Sequence, residues 1–164
     1  MLRTVMNLLA SAVAFCAVVP AIADERFPPV ADPVVKAECG ACHMPFQPQM
    51  LPRRSWEAIL TGLDKHFGED ASLPAAKVTA IRAYLAANAA DMGGGREGVK
   101  FLRDLPASAT PLRVTEMPRW VREHRRVRPE TWVQPAIGSK ANCQACHTTA
   151  EGGDYGDRAL RIPR

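Results

Sequence analysis

Cys39-Gly40-Ala41-Cys42-His43 returns near the other end of the chain as Cys143-Gln144-Ala145-Cys146-His147. Two thiols separated by two residues and followed at once by an imidazole admit three chemistries: a redox dithiol, half of a zinc site, or a covalent anchor for haem. A redox dithiol wants a strand-to-helix setting, and no credible strand series surrounds either copy. A four-cysteine zinc site would use both pairs but would leave the histidine after each pair without a role. At the chain's own cysteine and histidine content, one copy is expected by chance roughly 0.004 times. Haem attachment accounts for all three side chains. The two thiols reach the vinyl groups on one porphyrin edge, and the next residue lies under the iron. Cys39 and Cys42 thus anchor one haem c and Cys143 and Cys146 a second, with His43 and His147 as the adjoining iron ligands.

The start of the chain bears on the compartment. Arg3 precedes an apolar run from Val5 to Val19, followed by Ala21-Ile22-Ala23. This order is that of a secretory signal cleaved after Ala23. The run is short for a bilayer span, which takes about 20 residues. Cys16 lies in the run behind Phe15, not behind the small residue a lipoprotein signal wants, and is discarded with it. Residues 1–23 are therefore read as a signal peptide, and the mature chain as a periplasmic protein without a membrane span. Its four cysteines all belong to the two motifs.

Charge excludes one class of partner. The whole chain carries a net +4, too mild for a nucleic-acid binder. It is unevenly spread: residues 24–95 hold 7 Lys/Arg and 9 Asp/Glu, whereas residues 96–164 hold 13 and 8. The stretch Ala89 to Gly98, with three consecutive glycines, is a seam between those halves. It divides the mature chain into a haem domain at 24–95 and a second at 96–164. Units this small bury little surface and need a staple, which the haem provides.

The fold reads as mainly α. Asp32-Pro33 is a helix start leading into Cys39. Ser55 caps a second stretch, with Trp56, Ile59, Leu60, Leu63, His66 and Phe67 at helical spacing. A third helix starts near Ser72 and Pro74, buries Val78, Ile81 and Leu85, and fades at Asn88. Beyond the seam, six prolines leave room for little long structure. The best helix candidate runs from about Pro118 to Arg126, with Thr115 as its cap unless Pro118 shifts the start, and on it Trp120, Val121 and His124 share a face. This half is smaller and irregular.

The chain has four histidines, two of them in the motifs. His66 and His124 are the spares, one per half, and two six-coordinate irons need four ligands. The rival distal ligand is methionine: Met50 or Met92 for the first haem, Met117 for the second. Methionine would raise the potential, whereas two imidazoles leave it lower. Trp120, Trp132 and the arginines from Arg119 to Arg128 have several readings. The tryptophans pack in the core or on haem. The arginines pair with haem propionates, dock an acidic partner, or form a solvated face.

At this point four stretches resemble one family. ECGACHMPFQPQMLPRRSWEAILTGLDKHFGEDASL, VTEMPRWVREH, KANCQACHTTAEGGDY and the late RIP are similar to the DHC-type dihaem cytochromes c, small exported bacterial proteins. The resemblance covers nearly the whole mature chain. It implies two covalent haems of low potential with two histidine ligands each, His66 and His124 being the distal ones. It also implies an N-terminal domain like a class I cytochrome c and a smaller C-terminal haem domain. Electrons would pass between a membrane b-type cytochrome and another small c-type haem protein. Which distal histidine serves which haem stays open. The competing functions are a haem peroxidase or small-molecule reductase and a gas or redox sensor, both of which need an open iron position.

Overall fold

The Asp32-Pro33 start forms as the sequence predicts. In the computed structural model, which describes residues 25–163, Asp32 Oδ1 accepts from Val34 N at 2.8 Å and Val35 N at 3.0 Å. These bonds satisfy two of the free donors at the start of α1 (Pro33–Cys39). The signal peptide, its cleavage point and Cys16 lie outside the described residues. Five further α-helices follow: α2 (Arg53–Thr61), α3 (Ala75–Asn88), α4 (Gly95–Leu102), α5 (Pro118–Glu123) and α6 (Pro129–Trp132). Single 3-10 turns at Pro48–Met50, Leu63–Lys65, Val114–Glu116, Cys143–Ala145, Ala150–Gly152 and Asp157–Ala159 bend the chain between them. Among the described residues there is no strand, only three isolated bridges.

Two helix starts differ from expectation. Ser55 does not cap α2; it lies inside the helix, buried, with its hydroxyl unpaired. Asp91 performs the capping from a distance, its Oδ1 accepting from Arg53 N at 2.7 Å. Thr115, the cap expected for α5, precedes a helix whose N-cap is Met117 and whose last residue is Glu123. Pro118 at the first helical position moves the start forward, because its ring fixes a helical φ and its missing N–H needs no acceptor. Helix α3 runs close to the expected span, with Ile81 and Leu85 buried and Val78 half-buried.

The glycine-rich stretch is a packed corner. Ala89 and Ala90 are buried, and the backbone turns at Met92 and Gly93 into α4. A Cβ on Gly94 would lie 2.6 Å from the Ala90 carbonyl oxygen, and one on Gly98 2.9 Å from it. Glycine permits that approach, and the buried face of α4 (Glu97, Gly98, Phe101) supplies the contact that offsets its poor helix propensity. The expected boundary between 95 and 96 falls at the first residue of this helix.

One core runs through both halves. Val35, Trp56, Leu60, Ile81 and Leu85 continue into Phe101, Val114, Met117, Ala150 and Tyr155. Residues 25–30 cross over to the C-terminal half. Phe27 N donates to Gly153 O at 2.8 Å, Tyr155 N donates to Glu25 O at 2.9 Å, and the Phe27 ring meets Phe101 and Tyr155 edge-on at 5.3 and 5.6 Å. Burying a side chain such as Phe27 contributes about 1.5–3 kcal/mol, which ties this strap down. Gln47, fully buried, bridges the same gap. Its Nε2 donates to Ala150 O at 2.8 Å, and its Oε1 accepts from the Tyr155 hydroxyl at 2.7 Å.

Candidate functional site: two paired histidine sites

The first motif lies at the end of α1. Gly40 caps the helix by donating to Lys36 O, a position where a Cβ would run into that carbonyl, and the turn delivers Cys42 and His43 to the surface. His43 Nδ1 bonds Met44 O at 2.8 Å. A carbonyl only accepts, so Nδ1 carries the proton and Nε2 is left with a free lone pair. His66 faces this ring, but not from a helix. Gly62 ends α2, and the loop from Leu63 to Ala71 is closed by Ala71 N donating to Leu63 O at 2.8 Å. The next residue, Phe67, takes a left-handed φ of 56° and lies under the Arg113 guanidinium at 3.8 Å. The expectation that His66 shares the apolar face of α2 is thus corrected: the helix stops before it. Burial, then His43, then Arg113 push the His66 pKa down, which keeps the imidazole neutral, the form that binds a metal.

The second motif forms a 3-10 turn held on both sides. His147 N donates to Cys143 O at 2.7 Å and Arg161 N to Cys146 O at 2.8 Å. His124 caps the end of α5, its Nδ1 bonded to Trp120 O at 2.9 Å and its ring stacked on Trp120 at 4.2 Å. The expected common face of Trp120, Val121 and His124 is corrected here as well, since Val121 is 52 % exposed. Trp132 completes an aromatic wall 5.6 Å from Trp120. These groups enclose a cavity of about 540 Å³ whose lining includes Cys143, Cys146, His124 and His147. Burial lowers the His124 pKa, an effect the Trp120 carbonyl and Glu123 partly offset. Burial and then His124 lower that of His147, against smaller opposing effects of the Tyr155 backbone and Asp157. His147 Nδ1 is buried and completes no hydrogen bond. Burial pushes the Cys143 thiol up to about 11.

The four histidines therefore meet in two pairs. The rings of His43 and His66 are 6.2 Å apart, centroid to centroid, with planes at 17°. Those of His124 and His147 are 6.1 Å apart with planes at 70°. An imidazole nitrogen sits about 2.0 Å from a first-row metal ion and its ring centroid about 1.1 Å further back, so two imidazoles on opposite sides of one ion have centroids about 6 Å apart. Both pairs have that spacing, and each has a cysteine pair beside one of its rings. All four cysteines are free thiols. Among the described residues, no three His, Cys, Asp or Glu side chains cluster as a metal cage, which a shared zinc would need.

The profile of the family described as "Dihaem cytochrome c" matches residues 35–155. The chain belongs to the dihaem cytochrome c family. Solved structures agree. A diheme cytochrome c from Rhodobacter sphaeroides is 45% identical with a TM-score of 0.70, over 78% of this chain and 99% of that one. A structure of DHC purified from Rhodobacter sphaeroides is 42% identical, with a TM-score of 0.64 over 77% and 98%. A diheme cytochrome from Shewanella baltica OS155 is 30% identical, with a TM-score of 0.65 over 80% and 92%. A comparison with curated proteins gives no match. Membership implies two haem c groups and haem-based electron transfer. The mainly helical fold is that of these dihaem cytochromes c.

The residues of this dihaem cytochrome c fit the groups its family implies: paired imidazoles at the right separation, thiols beside them and, at the second site, an aromatic-walled cavity. The methionines fall elsewhere. Met50 is buried and lines the second cavity, Met92 is 57 % exposed, and Met117 is fully buried and absent from the wall of that cavity. Trp120 and Trp132 both line the second cavity, whereas Trp56 belongs to the core and donates its Nε1–H to Pro48 O at 2.8 Å. Sequence reasoning passed over Gln47 and Tyr155. The local signal was Gln47 beside Pro48, four residues after the first motif.

Proposed function

We propose that the protein is an exported electron carrier with two bis-histidine haem c groups. His43 and His66 ligate one iron and His124 and His147 the other, with attachment through Cys39 and Cys42 and through Cys143 and Cys146. The observation that carries this reading is the pair of imidazole separations, 6.2 and 6.1 Å, each within one half of the chain. Bound haem supplies a one-electron iron couple, and two neutral imidazoles set it low. The chain's own residues do the rest. The Met44 and Trp120 carbonyls fix the tautomers of His43 and His124, and Trp120, Trp132 and Phe101 keep water from the second site.

The division into haem domains at 24–95 and 96–164 goes with this reading, with residues 25–30 serving the second domain. Export to the periplasm with cleavage after Ala23 rests on the leader pattern. Among the described residues no helix is long and apolar enough to cross a membrane. A membrane b-type cytochrome and another small c-type haem protein are the proposed donor and acceptor classes. Six-coordinate irons leave no place for a substrate, so an electron carrier is favoured over a peroxidase, a reductase or a gas sensor. Carbon monoxide added to the reduced protein tests this. The Soret band should not change, and a carbonyl spectrum on either haem would mean an open or weakly held position.

A further inference from the structure

One charged group in the second cavity is unexplained by iron ligation. Arg119, the second residue of α5, is only 9 % exposed and lines the cavity beside Phe101, Trp120 and Glu25. Its Nη2 donates to Glu25 Oε1, and its Cζ lies 5.8 Å from the Phe101 ring centroid. Its Nε is buried and has no partner. A guanidinium offers five donors and stays charged, so a buried one calls for acceptors on more than one edge. The other basic side chains lining the cavity, Lys140 and Arg158, are exposed and make no such demand. Haem brings two propionate carboxylates on the porphyrin edge away from the vinyl groups, and carboxylate is the acceptor that matches a guanidinium best.

We propose that Arg119 binds a propionate of the second haem, its free Nε edge taking the carboxylate while Nη2 keeps Glu25. This rests on the dihaem reading above. Glu25 reaches Arg119 because the strap is pinned by Tyr155 N and Gly153 O. Residues directly after the leader therefore help complete the second haem site. A cation at the porphyrin edge favours the reduced state, which carries one more negative charge.

The test uses holoprotein carrying Arg119→Gln, Arg119→Lys, Glu25→Gln, or Arg119→Gln with Glu25→Gln. Two properties are read: a potentiometric titration resolved by haem, and the propionate bending band in resonance Raman. Arg119→Gln should lower the reduction equilibrium of one haem by about tenfold, which is 59 mV for one electron. It should also shift that haem's propionate band and leave the other haem nearly unchanged. Arg119→Lys should restore part of the loss, and the double variant should stay well below Glu25→Gln alone. Parental potentials and Raman bands in Arg119→Gln would overturn the proposal. So would a double variant that titrates like Glu25→Gln, since an unpaired Glu25 would then be the cause of the loss in Arg119→Gln. If Arg119→Gln is not recovered with both haems, Glu25→Gln decides. Releasing the guanidinium to the propionate must raise the same haem's reduction equilibrium, and no change or a fall refutes the assignment. A parent without two low-spin haems would instead sink the reading on which the proposal rests.

Discussion

Tyr155→Phe isolates the buried bond that joins the two halves. The Tyr155 hydroxyl donates to Gln47 Oε1 at 2.7 Å, Gln47 is 0 % exposed, and Tyr155 is 9 % exposed. Removing the hydroxyl leaves the ring against His147, 5.4 Å away, and against Phe27. It strands Gln47 Oε1 where no water reaches it, and the amide cannot turn to compensate because its Nε2 donates to Ala150 O. A buried acceptor left unpaired costs about 1–3 kcal/mol. For a chain of this length that lowers Tm by about 3–5 °C per kcal/mol. The assay is guanidinium unfolding of the holoprotein, followed by both the Soret band and far-ultraviolet circular dichroism. Gln47→Met alone should cost more, since it leaves both the Tyr155 hydroxyl and Ala150 O unpaired. The double variant should fall short of the sum by about 1 kcal/mol or more, the coupling expected of groups in direct contact. The visible spectrum should stay low-spin throughout. A cost below about 0.5 kcal/mol for Tyr155→Phe, or strict additivity in the cycle, would refute the bridge as a stabilising element.

The ring geometry predicts two kinds of ferric signal in electron paramagnetic resonance. Planes at 17° should give a rhombic low-spin species and planes at 70° one with a large maximal g value, so a single species would contradict the pairings. His66→Met and His124→Met should each raise the potential of the haem in its own half. A variant that titrates like the parent would remove that histidine from the ligand set. Protein expressed without haem-maturation machinery should show no cooperative melt by circular dichroism, because each half is small and the porphyrin would supply much of its core. Gly98→Ala should destabilise by about 1–3 kcal/mol in denaturant titrations, since its methyl would lie 2.9 Å from the Ala90 carbonyl oxygen.

Local signals were legible and long-range ones were not. Asp32-Pro33 announced α1 because a cap is made by neighbours in sequence, and Pro33 can stand nowhere in a helix but its first turn. The number of histidines was readable because composition does not depend on the path of the chain. Their placement followed a different logic from helical periodicity. Gly62 and the end of α5 stop each helix short, and what holds His66 and His124 is a closed loop in one case and a tryptophan stack in the other. The capping of α2 was unreadable because Asp91, not Ser55, performs it across the fold. Gln47 and Tyr155 were hidden for the same reason: each is polar, buried and satisfied only by a residue of the opposite half. Helix α4 was hidden by its own glycines, whose unfavourable propensity is outweighed by contact with Ala90.

That glycine corner also bears on how fast the molecule can work. Helix α4 starts beside the weld at Ala90 and carries Phe101, in its last turn, to the wall of the second cavity, while α3 leads into the weld from the side of the first site. A flexible tether would let the two redox centres drift, and tunnelling, which falls off exponentially with separation, would average over every gap explored. A welded joint gives one gap. Electron exchange between the centres then has a single rate constant belonging to the fold, insensitive to solvent viscosity.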